Sequence, residues 1–253
     1  DCNNASTTSA TLIVVDNTSP VISTGASDLT VECDGSDNAI DLQIWLNNNG
    51  GAIASDDCSE VEWTNDFIHL LNDCGQAGTV SVLFTATDSC GNSSTSSAVF
   101  TIEDTTPPTI DAIAQDTIID CSTPDQLAAI QNWLNNNGGA SASDICSNII
   151  WTNDFNGLSD GCSETGIAEV IFTAEDLCGN IATTAASISV IDTIPPIFDQ
   201  NAPVDLTIEC DKVPVADLPT ATDNCDTSIM IEMVQDSINT GCENAYQLTR
   251  TWT

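Results

Sequence analysis

The chain has 253 residues, with 38 acidic side chains against two basic ones, Lys212 and Arg250, giving a formal charge of −36. That balance excludes nucleic-acid binding and attraction to anionic membranes, because phosphate recognition needs Lys and Arg to neutralise the charge. No apolar run approaches the roughly 20 residues that cross a bilayer, so membrane insertion is not expected, and Asp1-Cys2-Asn3-Asn4 is no signal peptide, so the segment reads as an excerpt of something longer.

At 41% hydrophobic residues the chain is too apolar for a disordered acidic tail. Twelve cysteines with a single histidine, His69, and no close C-x-x-C pair argue against zinc. Disulfides are the favoured reading, and they place the chain in an oxidising compartment outside the cytosol.

Self-comparison finds a period of 88 residues: Cys33, Cys58, Cys74 and Cys90 return as Cys121, Cys146, Cys162 and Cys178. Trp45-Leu46-Asn47-Asn48-Asn49-Gly50-Gly51 returns at 133–139, and Trp63-Thr64-Asn65-Asp66-Phe67 at 151–155. Four segments result: 1–15, the closing strand of a preceding repeat; 16–103 and 104–191, two complete repeats; and 192–253, a truncated third holding Cys210, Cys225 and Cys242.

In chain order, residues 10–15 are expected to form that closing strand and Leu29–Cys33 the first strand of repeat one. A short helix is predicted over about Asn38 to Asn49, followed by a strand before Cys58 and another over Val61–Phe67. Thr79–Thr87 and Ser96–Ile102 read as a hairpin around the turn Asp88–Asn92, being rich in β-branched residues with partial period-2 alternation. In repeat two the helix signal is clearer: Ser122-Thr123-Pro124-Asp125 supplies an N-cap and a proline, Leu127, Ile130 and Leu134 the helical spacing, and Asn137-Gly138-Gly139 the stop. Repeat three has only 15 residues between its first two cysteines against 25 in repeat one, so the helix is an insertion that it lacks. The expected fold class is all-β: tandem immunoglobulin-like β-sandwich repeats, two of them carrying a short inserted α-helix.

Asp104-Thr105-Thr106-Pro107-Pro108, Leu29-Thr30-Val31-Glu32-Cys33, Ala86-Thr87-Asp88-Ser89-Cys90-Gly91-Asn92, Ala221-Thr222-Asp223-Asn224-Cys225 and Thr249-Arg250-Thr251-Trp252-Thr253 resemble the four-cysteine, hyalin-repeat-like modules of giant secreted surface proteins of Bacteroidota. The resemblance covers the whole chain, fits the third repeat best and departs at the helical insertions and the Trp-Thr-Asn-Asp-Phe segments. It implies an extracellular adhesin or filament on a bacterial cell surface, exported through the type IX secretion system. The implied partners are neighbouring repeats of the same chain or identical chains in a filament, with a glycan or another cell-surface ligand as a further partner.

Strand direction constrains the cysteines. If each module is entered at its top and left at its bottom, Cys33 and Cys74 share the bottom, and Cys58 and Cys90 the top. The expected bonds are Cys33–Cys74, Cys58–Cys90, Cys121–Cys162, Cys146–Cys178 and Cys210–Cys242, because Cys74–Cys90 would have to span a strand. Cys2 and Cys225 are left for inter-module bonding, Cys2 with a second-position cysteine equivalent to Cys225.

Each top cysteine follows an aspartate by two residues: Asp56, Asp88, Asp144, Asp176 and Asp223. With the linker residues Asp16, Asp104 and Asp192 they make clusters suited to Ca²⁺, which takes six to eight oxygen ligands. The competing reading is that these carboxylates cap turns through Asx hydrogen bonds. Trp45, Trp63, Trp133 and Trp151 suit a core better than a sugar-binding platform. His69 has no counterpart and reads as surface decoration. Sequons at Asn4, Asn17 and Asn92 are incidental in a bacterial protein, while Thr105, Thr117, Thr193 and Ser237 sit in short O-glycosylation-like triplets. No enzymatic activity is expected, because every polar constellation repeats with the fold's own period. The expected role is a structural stalk or filament segment, with a glycan- or ligand-binding adhesion module as the alternative.

Overall fold

A computed structural model describes residues 2, 4–159, 161, 165–199, 204–241 and 244–253. The chain divides into two compact units, one of Asp1–Thr109, Ser143–Ile150 and Glu175–Ile181, the other of Ile110–Ala142, Trp151–Ala174 and Ala182–Thr253.

In the first unit the elements are β1 (Val21–Thr24), β2 (Leu29–Glu32), α1 (Ala39–Asn47), β3 (Ile53–Ser55), β4 (Glu62–Asn65), β5 (Leu71–Cys74), β6 (Ala77–Thr87) and β7 (Ser93–Glu103). The predicted hairpin is β6–β7, antiparallel from Gly78↔Ile102 to Thr87↔Ser93. Its sheet runs β2-β7-β6-β4, with β5 also paired to β6, while β1 and β3 form a second, two-stranded layer. Period-2 alternation sends Val82, Phe84 and Ala86 of β6 and Ala98, Phe100 and Ile102 of β7 inward. Helix α1 lays Trp45 and Leu46 on that face, with the indole edge-on to Phe84 at 5.2 Å between ring centroids and its Nε1–H donated to the Ser27 carbonyl at 3.1 Å. Trp63 packs half-buried against the same core.

The elements of the second unit repeat the pattern: β8 (Thr109–Ala112), β9 (Thr117–Asp120), α2 (Gln126–Asn135), β10 (Ser141–Ser143), β11 (Ile149–Asn153), β12 (Gly166–Asp176) and β13 (Ile181–Ile191). They make a sheet ordered β11-β12-β13-β9 and a β8–β10 pair. Val170, Phe172, Ala186, Ile188 and Val190 form the core, Trp133 meets Phe172 at 5.2 Å, and Trp151 packs against the cluster. Trp45, Trp63, Trp133 and Trp151 therefore all pack against the cores. Two further antiparallel pairs follow, β14 (Ile197–Phe198) with β15 (Ala221–Thr222), and β16 (Met233–Asn239) with β17 (Tyr246–Trp252).

Three local expectations change. Helix α2 starts at Gln126; Asp125, at φ 57°, is its N-cap and accepts the Ala128 N–H at 3.2 Å, so Pro124 precedes the helix. Leu127, expected on the apolar face, is 79% exposed, leaving Ile130 and Leu134 to anchor the helix. Residues 10–15 form no strand, and Leu12, Ile13 and Val14 lie in solvent. The glycine stop has a packing cause: Gly138 turns at φ 63° directly under the Phe172 ring, where a Cβ would sit 3.0 Å from Cε2.

Candidate functional site at the repeat junction

Strand order fixes which cysteines can meet. Strand β2 runs parallel to β7 with Glu32 opposite Glu103, and the Cys33 N–H bonds the Glu103 carbonyl at 2.7 Å. Cys33 thus emerges where β7 leaves the sheet. Cys74 closes β5 opposite Ala77, at the same end, since Gly78 faces Ile102. The expected bottom placement of both residues holds, but their bond does not. They flank β7 and β6 on opposite sides, three strand spacings apart, or about 14 Å, twice what a disulfide reaches.

Each instead bonds a cysteine of the following repeat. Cys33 pairs with Cys146 across 6.1 Å between Cα atoms, and Cys74 with Cys178 across 5.2 Å. Cys121 of repeat two pairs with Cys225 of repeat three across 5.8 Å. The bonds expected as Cys33–Cys74, Cys58–Cys90, Cys121–Cys162 and Cys146–Cys178 are therefore corrected: first-position cysteines bond the next second position, and the third bonds the next fourth. Cys2, Cys58, Cys90 and Cys210 are free and exposed. Cys162 and Cys242 lie outside the described residues, and with Cys242 so does the expected Cys210–Cys242 bond. Cys225 does cross a module boundary, but to Cys121. Cys2 occupies the fourth position, in register with Cys178, which bonds a third-position cysteine.

Backbone contacts support the bond at Cys146. The Gln76 N–H bonds the Cys146 carbonyl at 2.9 Å. Gly75, at φ 59°, lies where a Cβ would be 2.3 Å from that carbonyl oxygen, so this approach requires glycine. Glu32 holds the linker: it accepts from the Thr105 N–H at 2.8 Å, the Thr105 hydroxyl at 2.9 Å and the Thr106 hydroxyl at 2.9 Å. Those bonds, led by the Thr105 N–H, hold the Glu32 carboxyl below its usual range. Asp120 takes the Glu32 position in repeat two and accepts from the Ser122 and Thr193 hydroxyls.

The aspartates cap turns. The amides of Cys58, Cys90, Cys146, Cys178 and Cys225 each donate to Oδ1 of the aspartate two residues earlier, at 2.8–2.9 Å. Asp88 and Asp176 also accept Asn92 and Asn180 Nδ2 on Oδ2, both at 2.8 Å. Burial pushes the Asp88 carboxyl upward, but the hydrogen bonds from Asn92, Cys90 and Gly91 outweigh it and leave it below its usual range.

What remains is a set of orphaned oxygens. Oδ2 of Asp16, Asp104 and Asp223 is buried without a hydrogen-bond partner. Asp104 is 8% exposed, with ligand atoms of Asp144 and, in a second grouping, Asp176 within 4.8 Å. Burial, then the charges of Asp144 and Asp176, raises its carboxyl above the usual value. Asp16 groups with Asp56, and Asp192 with Asp223, while Asp88 joins no such group among the described residues. Each of the two Asp104 groupings sets two carboxylate oxygens beside the sulfur of a disulfide-bonded cysteine, Cys146 or Cys178, and Ca²⁺ would take the hard carboxylate oxygens, of which Asp104 Oδ2 is unspent. The charges of Asp16, then burial and Asp56, likewise raise the Cys58 thiol.

The fold and junction together define a chain of mostly β repeats, cross-linked from each repeat to the next. No family model and no curated protein matches it. Among solved structures it is similar to Drosophila N-cadherin EC1-4, at 11% identity and TM-score 0.30 over 69% of this chain and 50% of that one. It is also similar to the protocadherin GammaB4 extracellular domain, at 13% and 0.32 over 92% and 43%, and to human CDH23 EC21-23, at 16% and 0.27 over 62% and 58%. The chain spans about half the length of these structures.

Proposed function

We propose that this chain is a shaft segment of an extracellular adhesin or filament on a bacterial surface, stapled by disulfides and stiffened by calcium. The observation that carries the reading is the double cross-link Cys33–Cys146 and Cys74–Cys178, which ties the exit end of one repeat to loops of the next. A catalytic or ligand-binding role would not need covalent continuity between repeats, whereas a tether under tension would. Asp104, Asp144 and Asp176, with Asp16 and Asp56 and with Asp192 and Asp223, would hold the calcium. The ion would neutralise carboxylates that otherwise repel across each linker.

Pulling single molecules by their termini tests the tether. Oxidised chain should hide the residues enclosed by the Cys33–Cys146 bond, and reductant should release at least about 400 Å of additional contour from that 113-residue loop. Equal contour gains with and without reductant would refute the reading. For its location, an antibody to the chain should label intact, unpermeabilised cells; label only after lysis would remove the surface assignment.

A further inference from the structure

We propose that Cys58 and Cys90 are the prebuilt receiving half of a covalent junction, closed by the first- and third-position cysteines of another four-cysteine module. The evidence is the sameness of two loop pairs, one engaged and one free. Around bonded Cys146 and Cys178, Asp144 holds the Cys146 and Ser147 amides at 2.8 and 2.9 Å, and Asp176 holds those of Cys178 and Asn180 at 2.8 and 2.9 Å. Around free Cys58 and Cys90, Asp56 holds the Cys58 and Ser59 amides at 2.9 and 3.1 Å, and Asp88 those of Cys90 and Asn92 at 2.9 and 2.8 Å.

The two loops are also tied to each other alike. Ser147 Oγ accepts the Leu177 N–H at 3.2 Å in the engaged pair, and Ser59 Oγ accepts the Ser89 N–H at 3.2 Å in the free one. Asn180 Nδ2 reaches the Asp104 carbonyl at 2.9 Å, as Asn92 Nδ2 reaches that of Asp16 at 3.4 Å. The loop geometry is thus set by its own repeat and does not wait for the partner.

The surface beside Cys58 is open. A shallow groove there is lined by Ser55, Asp56, Ser59, Glu60 and Trp63. In the engaged junction the equivalent surface, Cys146 and Ser147, is where Gly75 of the donating loop packs. The first-position member of a donating half is also present on this chain. Cys210 has the first position, like Cys33 and Cys121, and is free and exposed. A second copy can therefore present Cys210 to Cys58, the pairing already made by Cys33 with Cys146 and Cys121 with Cys225.

Each bond joins two thiol sulfurs and releases two protons and two electrons. A low-molecular-weight disulfide takes them and leaves as two thiols. The coupling follows from junction geometry alone and is independent of where the chain works.

The test is oxidation of the whole purified chain by oxidised glutathione, followed by non-reducing electrophoresis and peptide mapping. A ladder of dimer and higher species is expected, with a Cys210–Cys58 cross-linked peptide, and reductant should collapse it. Cys58→Ser and Cys210→Ser should each remove that peptide and the ladder built on it, with the melting temperature of the reduced chain unchanged. Mixing the two variants should restore heterodimer only, since one copy then offers Cys58 and the other Cys210. Oxidised chain that stays monomeric, closes an internal Cys58–Cys90 bond, or couples mainly through Cys2 would overturn the proposal.

Discussion

Pairwise removal of cysteines tests the junction most directly. In the chain-entropy model the 113-residue loop closed by Cys33–Cys146 is worth about 4.8 kcal/mol, and the 104-residue loop closed by Cys74–Cys178 about 4.7 kcal/mol on its own. The loops interleave, so with one bond in place the other closes a shorter path and contributes somewhat less. Cys33→Ala with Cys146→Ala deletes one bond, whereas Cys33→Ala with Cys74→Ala deletes both. Had the bonds stayed within a repeat, the second pair would delete only one. At roughly 3–6 °C per kcal/mol for a unit of this size, the first pair should lower the melting temperature of the first unit by roughly 15–30 °C. The second pair should lower it markedly further. The assay is scanning calorimetry, with free-thiol counts on the same samples. If Cys33→Ala with Cys74→Ala proved no worse than Cys33→Ala alone, while Cys33→Ala with Cys146→Ala cost two bonds, the reasoning from strand order would be refuted.

Three further outcomes are expected. Gly138→Ala should destabilise the second unit by about 1–3 kcal/mol in urea melts, because alanine resists positive φ and its methyl would meet the Phe172 ring, whereas Gly139, with open space around it, should cost less. Asp104→Asn should stabilise calcium-free protein at neutral pH and abolish any rise in melting temperature on adding calcium; a rise equal to that of the unsubstituted chain would remove Asp104 from the ion site. Carboxylates depressed in the fold, Glu32 and Asp120, add stability that is present above their unfolded pKa and lost as pH falls through the folded one, so acid melts should show these straps failing below about pH 4. Asp104 acts in the opposite sense, because its folded pKa is raised: its contribution is full below the unfolded value and lost as pH rises through the folded one, and the Asn variant should erase that slope.

The sequence by itself determined the repeat, the hairpin of each complete repeat and the two helices. These rest on local pattern: period-2 burial in Thr79–Thr87 and Ser96–Ile102, and a glycine stop after each tryptophan-bearing helix. It also determined that Cys33 and Cys74 share one end of the first repeat and Cys58 and Cys90 the other, since strand direction alternates along the chain. The partners of those cysteines were decided only by tertiary structure. Lateral strand order puts β7 and β6 between Cys33 and Cys74, and no reading of direction along the strands contains a distance across them. The same holds for the aspartates, whose turn-capping Oδ1 is visible in the Asp-x-Cys spacing, while the stranded Oδ2 of Asp104 exists only because folding closes Asp144 and Asp176 around it and excludes the water that would otherwise have satisfied it.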